Sequence, residues 1–350
     1  MIRRIFPALP GLILAGILCS ACIQKAQHDP GDDRIIIGFV MDSFIEERWS
    51  RDRDIFISTA RRLGAEVILQ AGDGDSQNQE AQIHFLLEKG INVLVLVASD
   101  PRYLAKTIQE VKRQGIPVLL YERLVFDAGA DLYLAYDGEA AGELQAQAVL
   151  DRIPAEGSAG TRRVLIYNGT AGDTYAEAVH RGIMNVLKEP VRNKRISIAA
   201  DYWPASPDSG EAFDFMNRFL NDHAAVDGVV AVNDLAAEAI IRALAIKRLA
   251  GKTAVAGADA DLAACQRIAE GAQTMTVYKP IEYIAASAAQ MAIYLAKDDR
   301  FTIHNAINDG SYRVPYYKLN PVAVNASNMD ETVIRDGFHL REDIYRNVFP

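Results

Sequence analysis

The chain has 350 residues, 50% of them hydrophobic and 24% charged, which suits a soluble globular protein long enough for two lobes of ordinary size. A formal net charge of -9 gives no support to nucleic-acid binding through a basic patch.

Arg3 and Arg4 precede an apolar run, residues 12–18, that is too short to span a bilayer as a helix. The run ends in Leu18-Cys19-Ser20-Ala21-Cys22, which resembles the signal of bacterial lipoproteins. There, small residues precede a cysteine that is acylated and becomes the mature N-terminus. Residues 1–22 are therefore expected to be a signal peptide with Cys22 acylated, the competing reading being plain secretory cleavage. Cys19, three places before Cys22, departs from the usual pattern. Each buried methylene adds about 0.8 kcal/mol of membrane affinity, so two or three acyl chains would anchor firmly. Residues 23–33 are polar, contain Pro-Gly and read as a flexible tether. On this reading Cys265 is left alone and forms no intramolecular disulfide, so stability must come from packing. It falls in an apolar helix and is expected as a small core residue.

A continuous apolar strand, residues 35–40, opens the folded part. After the stretch 42–54 a helix presents Ile55, Phe56, Ala60 and Leu63 to the core, closed by Gly64. Next come a strand at 66–70, a helix at 77–89 stopped by Gly90, and a buried strand at 91–97. A helix at 101–114 leads to a strand at 117–121 ending at Glu122-Arg123. Another strand, 132–136, ends at Asp137. The alternation then restarts: helix 139–153, loop 154–161, strand 163–168, loop 169–173, helix 175–187 and strand 196–200. Tyr202-Trp203-Pro204 precedes a helix at 211–221. The short apolar strand 229–232 ends at Asn233, and the helix after it carries Leu235, Ala239, Ile240, Leu244 and Leu249 on one stripe. Strand 253–257 leads to Asp259-Ala260-Asp261, and after a further helix strand 274–278 ends at Lys279-Pro280. A long helix, 281–296, runs into a strand-poor tail with the turn Asn308-Asp309-Gly310. Strands alternating with helices predict α/β architecture: two doubly wound parallel-sheet lobes.

Ligands of open parallel sheets lie beyond the carboxyl ends of the strands. Asn233, Asp259 and Lys279 thus aim an amide, a carboxylate and an ammonium at one place. That set suits a neutral polyhydroxylated ligand, because each hydroxyl both donates and accepts. The plainer alternative makes Asn233 and Asp259 caps of the helices that follow. Trp49 and Trp203 each stand beyond a strand end, where flat rings could cover the apolar faces of a pyranose. They could equally be core residues. Arg48, Arg123 and Asp137 are also near strand ends, with solvated charges or a Glu122/Arg123 pair as the bland reading. The six histidines have no metal-ligand spacing, and no phosphate loop, dinucleotide fingerprint or nucleophile elbow is present, so neither metal nor cofactor is expected.

The segments EERWSRDRDIF (46–56), YER (121–123), GELQAQA (142–148), ND (233–234), DADLA (259–263), QTMTVYKPI (273–281) and TVIRDGFH (332–339) together resemble the D-xylose-binding branch of the type I periplasmic binding proteins, the sugar-capturing components of ABC importers. The resemblance runs from about residue 35 to 339. It implies two lobes joined by a three-crossover hinge and closing on a pyranose, with residues 34–137 and 278–306 in the first lobe and 138–277 and 307–350 in the second. It also implies that Arg48, Arg123, Asp173, Asn233, Asp259 and Lys279 hydrogen-bond the sugar alongside Glu122, with Trp49 and Trp203 against its faces. This chain departs from that pattern at Glu122 (Asp there), Thr174-Tyr175 (Asn-Asn), Ala258 (Gln) and Gly138 (Asn). A phenol at Tyr175 in place of an amide changes both cleft volume and donors, so which sugar is bound stays open. The expected protein is a monomeric, lipid-anchored, non-enzymatic receptor on the extracytoplasmic face of a membrane, delivering a monosaccharide to an ABC permease. The alternatives are a sugar sensor for chemotaxis or signalling and an exported sugar-active enzyme.

Overall fold

Apolar runs and amphipathic stretches alternate along the chain and are realised as two separate, mainly parallel sheets. The computed structural model describes residues 34–42, 47–154, 161–205, 209–223, 225–299 and 301–348, and of residues 47 and 48 the backbone alone. The expected signal peptide with Cys19 and Cys22, and the tether, lie outside the described residues.

The first lobe opens with β1 (Ile35–Met41), α1 (Glu47–Arg62), β2 (Ala65–Ala71) and α2 (Ser76–Glu88). It continues through β3 (Val93–Leu96), α3 (Ala105–Arg113), β4 (Val118–Tyr121) and β5 (Leu132–Tyr136). Every residue of β3, β4 and β5 is buried, as expected of strands covered by helices on both faces. The second lobe contains α4 (Gly138–Arg152), β6 (Arg162–Tyr167), α5 (Thr174–Arg192), β7 (Ile196–Tyr202) and α6 (Ser209–Asp222). After these come β8 (Gly228–Ala231), α7 (Asp234–Ile246), β9 (Ala254–Ala258), α8 (Leu262–Ala269) and β10 (Met275–Tyr278). The chain then forms α9 (Ile281–Ala296), β11 (Ala306–Asn308), β12 (Arg313–Leu319), β13 (Val322–Val324) and α10 (Arg341–Ile344).

One sheet has the order β11-β12-β5-β4-β3-β1-β2, the other β13-β10-β9-β8-β6-β7. Helix α4 belongs with the second sheet, where the buried Gln145 amide donates to the carbonyls of Ala231 and Gly257. Helix α9 returns to the first, packing Ile284, Ala288 and Ala292 into one cluster with Phe39 and Val95. The chain therefore passes between the lobes three times: from β5 to α4, from β10 to α9 and from β12 to β13. Helices α4 and α5 meet backbone to backbone at Gly142 and Gly182, where a Cβ on either would overlap a carbonyl of the other helix.

The tail differs from the strand-poor expectation. Strand β12 runs parallel to β5, pairing Tyr316 with Tyr133 and Leu319 with Tyr136, and β11 lies antiparallel beside it. Residues 307–319, expected in the second lobe, thus extend the first lobe's sheet. Among the described residues, β13 joins the second sheet antiparallel to β10, and Met329, Val333 and Ile344 after it pack with Cys265 and Tyr278, as expected for the second lobe. The physical reason is visible in β12: its buried positions alternate and it contains Pro315, so it lacks the continuous apolar run that marks an interior strand. Leu63 and Leu235, expected on core-facing stripes, are exposed, whereas Cys265 is fully buried.

Candidate functional site

In the first lobe, Asp42 follows β1, Ala98 and Ser99 follow β3, and Glu122 and Arg123 follow β4. Arg123 Nη1 donates to Asp42 Oδ2 at 2.6 Å and to the Ala98 carbonyl at 3.1 Å. Its guanidinium carbon lies 5.7 Å from the ring centroid of Trp49, which is buried at the start of α1 beside Tyr121. Beneath them the Tyr121 hydroxyl donates to the buried Asp52 carboxylate. Asp42 Oδ1 is buried and has no hydrogen-bond partner among the described residues, which leaves an acceptor for a ligand's donor.

The turn after β4 is a strained one. Glu122 has φ 58°, and the Arg123 N–H donates to the Tyr121 carbonyl at 2.7 Å, closing a three-residue γ-turn. Such conformations cost about 1–3 kcal/mol and persist only where surrounding contacts fix them. Here the Tyr133 hydroxyl donates to the Glu122 carbonyl at 3.0 Å. The turn sets Glu122 and Arg123 side by side on the wall of a cavity of about 330 Å³, which Gly172, Asp173 and Thr174 of the second lobe complete.

Asp173 also faces a cavity of about 180 Å³ within the second lobe, shared with Tyr167, Tyr175, Pro204 and Asn233. Both polar residues cap helices: Asp173 Oδ1 accepts from the Ala176 N–H and Asn233 Oδ1 from the Ala236 N–H, each at 2.9 Å. Capping consumes one acceptor oxygen apiece. It leaves the second carboxylate oxygen of Asp173 and the amide NH₂ of Asn233 outside the cap. For these two residues the capping and ligand-holding readings are therefore compatible.

Asp259 is different, because α8 begins at Leu262 and its N-cap is Asp261. Asp259 has φ 103° and Ala260 φ 56°, so the loop bends sharply before the helix. Asp259 Oδ1 lies 2.7 Å from Lys279 Nζ, and that ammonium stands 5.0 Å from the ring centroid of Tyr175. Behind the loop, Thr276 Oγ1 accepts from the Ala260 N–H at 3.0 Å and donates to Asp234 Oδ2 at 2.7 Å. Asp234 also accepts from the Asp261 N–H at 3.1 Å and from the Gln273 amide at 2.8 Å. Burial pushes the Asp234 carboxyl up to about 7; the bonds from Thr276 and Gln273 oppose the shift and the charge of Asp259 adds to it. On the far side, His339 Nε2 meets the Ala260 carbonyl at 2.7 Å. A carbonyl only accepts, so Nε2 carries the proton, and burial holds this imidazole below its ordinary pKa.

Of the residues singled out in the sequence, Trp49, Glu122 and Arg123 come together in the first lobe. Asp173 and Asn233 share a cavity in the second, and the Asp259–Lys279 pair lies beside Tyr175, one of that cavity's lining residues. Trp203 is half-buried against the His180 ring, 5.2 Å between centroids, and it is the adjacent Pro204 that lines the cavity. Arg48 falls in the first turn of α1, its side chain outside the described residues. Asp137 caps α4 and pairs with Lys318 at 2.8 Å. Sequence reasoning missed Asp42, although it follows β1 just as Asp259 follows β9. It also missed Asp52, Asp234, Thr276 and His339, whose roles rest on contacts distant in sequence. Among the described residues no cluster of His, Cys, Asp and Glu could hold a metal ion, and no helix is long and apolar enough to cross a membrane.

A profile of the periplasmic binding protein domain matches residues 37–300. The chain is 40% identical over 310 residues to the D-xylose-binding periplasmic protein of Haemophilus influenzae, covering 88% of this chain and 92% of that one. To the protein of the same name from Escherichia coli it is 38% identical over 309 residues, with the same coverage of 88% and 92%. Its backbone is similar to that of a carbohydrate transporter solute binding protein from Chloroflexus aurantiacus solved in complex with D-glucose. There the TM-score is 0.75 at 25% identity, covering 89% of this chain and 98% of the other.

Proposed function

Because this chain belongs to the periplasmic binding protein family, we propose that it is the sugar-binding component of an ABC importer, holding D-xylose or a related pyranose between its lobes. The observation that carries this reading is that Asp173 of the second lobe shares a cavity wall with Glu122 and Arg123 of the first. A ligand in that space would touch both lobes and hold them together.

Each group offers what a ring of hydroxyls needs. Carboxylates at Asp42, Glu122, Asp173 and Asp259 accept; Arg123, Lys279 and the Asn233 amide donate. Trp49 backs the guanidinium of Arg123. Specificity follows from geometry, since an analogue lacking a hydroxyl leaves a buried polar group unpaired. The protein would act as a monomer, without a cofactor and without altering the sugar, presenting it to a membrane permease. Acylated Cys22 would tether it to the membrane.

Calorimetry with a panel of pentoses and hexoses tests the reading, together with chemical analysis of the recovered sugar and small-angle scattering. Binding is expected with the sugar returned unchanged and the radius of gyration reduced, because a ligand favours the state it contacts more extensively. Failure of every monosaccharide to bind overturns the proposal, and a chemically altered sugar favours an exported enzyme instead.

A further inference from the structure

We infer that Tyr175 is the size-limiting wall of the sugar site, and that Gly138 is glycine because the Tyr175 ring occupies the space a side chain there would need. The inference rests on the sugar-binding reading above and goes on to say which sugars that site excludes.

Tyr175 lies at the start of α5 and lines two cavities. One is the 180 Å³ space that holds Asp173 and Asn233; the other, about 220 Å³, lies over the first crossover among Tyr133, Asp137, Gly138, Tyr316 and Lys318. The ring is therefore the partition between them. It is held from two sides. On one side Lys279 Nζ stands 5.0 Å from its centroid, itself fixed by the 2.7 Å pair with Asp259. On the other, a Cβ built on Gly138 would lie 3.1 Å from both Cδ2 and Cε2 of the ring and 3.1 Å from the Ala178 Cβ.

The backbone does not explain the glycine, since Gly138 is not one of the glycines with positive φ. Space explains it. A methyl at 138 would require the ring to give by a few tenths of an ångström, and any longer side chain would drive it from its place. Residues 138 and 175 are thus one steric unit, built across the α4–α5 contact, and the partition stands only while 138 stays small. A rigid ring at the edge of a cavity excludes substituents that project towards it. The site should accept an aldopentopyranose and reject the aldohexopyranose that differs only by a hydroxymethyl group. Removing the ring joins the two cavities and gives that group room.

The test is the ratio of affinities for D-xylose and D-glucose, measured by calorimetry for the unaltered protein and for Tyr175→Ala, Tyr175→Phe and Gly138→Leu, with melting curves confirming that each is folded. Tyr175→Ala should shift the ratio towards glucose by tenfold or more, and Tyr175→Phe, which keeps the ring, should leave it within twofold. Gly138→Leu, which fills the 220 Å³ cavity and pushes the ring towards the sugar, should weaken both sugars without favouring glucose. Should Tyr175→Ala not fold, Tyr175→Leu serves in its place with the same expectation. A shift below threefold in the truncated variant, or an equal shift in Tyr175→Phe, overturns the size wall while leaving sugar binding standing. Unaltered protein that binds neither sugar overturns both readings together.

Discussion

The ammonium of Lys279 sits 2.7 Å from Oδ1 of Asp259, at the point where the chain leaves β10 to cross between lobes. Asp259 caps no helix, so its loss should register in binding rather than in folding. Asp259→Ala should weaken sugar binding by about 1.5–3 kcal/mol, the range for hydrogen bonds to charged groups. That is roughly tenfold to more than a hundredfold in Kd. Calorimetric affinity and melting temperature measured on the same preparation check this. Unchanged affinity with a lowered melting temperature would exclude Asp259 from the site.

Asn233 performs two tasks that substitution can separate. Asn233→Asp keeps an oxygen for the Ala236 N–H and adds a negative charge at a helix N-terminus, so stability should hold. The amide donor is gone, and affinity should fall about tenfold, equivalent to about 1.4 kcal/mol. Asn233→Ala should lose binding and also about 0.5–2 kcal/mol of stability. If Asn233→Asp binds as tightly as the unaltered protein, the residue is a cap and nothing more.

Asp234 gives the fold a pH dependence of predictable sign. Its folded pKa of about 7 lies above the ordinary carboxyl value, so the folded state retains a proton that the unfolded chain has released. The associated stability is full below about pH 4 and is lost as pH rises through about 7. The melting temperature of unaltered protein, taken relative to Asp234→Asn, should fall across that window and level off above it. A difference that stays constant from pH 4 to 8 would mean that Asp234 titrates like an ordinary carboxylate.

Acylation of Cys22 has a simple signature. Cys22→Ser should move the protein from the membrane fraction to the soluble fraction without changing its affinity for sugar. Protein from its native host that is soluble and unacylated would remove the anchor from the proposal.

Much of the site was legible because short apolar runs mark buried parallel strands, and the residue after each run is placed by chain direction alone. Asn233, Asp259, Lys279 and Arg123 were placed beyond strand ends in that way. The same rule brings Trp203 past the end of β7 but does not orient it, and its ring rests on His180. What a helix start does with its first carboxylate is also ambiguous in one dimension: Asp259 and Asp261 differ only in where α8 begins. The contact of Tyr175 with Gly138 depends on how closely α4 meets α5, which is set by Gly142 and Gly182 together. The support that Asp234 and His339 give to one loop joins segments that no local pattern connects.

Strand β12 also determines when the molecule can be finished. The Tyr316 hydroxyl donates to the carbonyl of Tyr136, 180 residues earlier, so the first lobe's sheet waits for a partner made long after β5. Until then a nascent chain carries β5 as an open edge through the synthesis of the whole second lobe. Strand β13 imposes the same delay on β10, and both sheets receive their last strands between residues 313 and 324. Neither sheet is thus complete before residue 313 is made. A ribosome that stalls anywhere before residue 313 leaves both sheets unfinished.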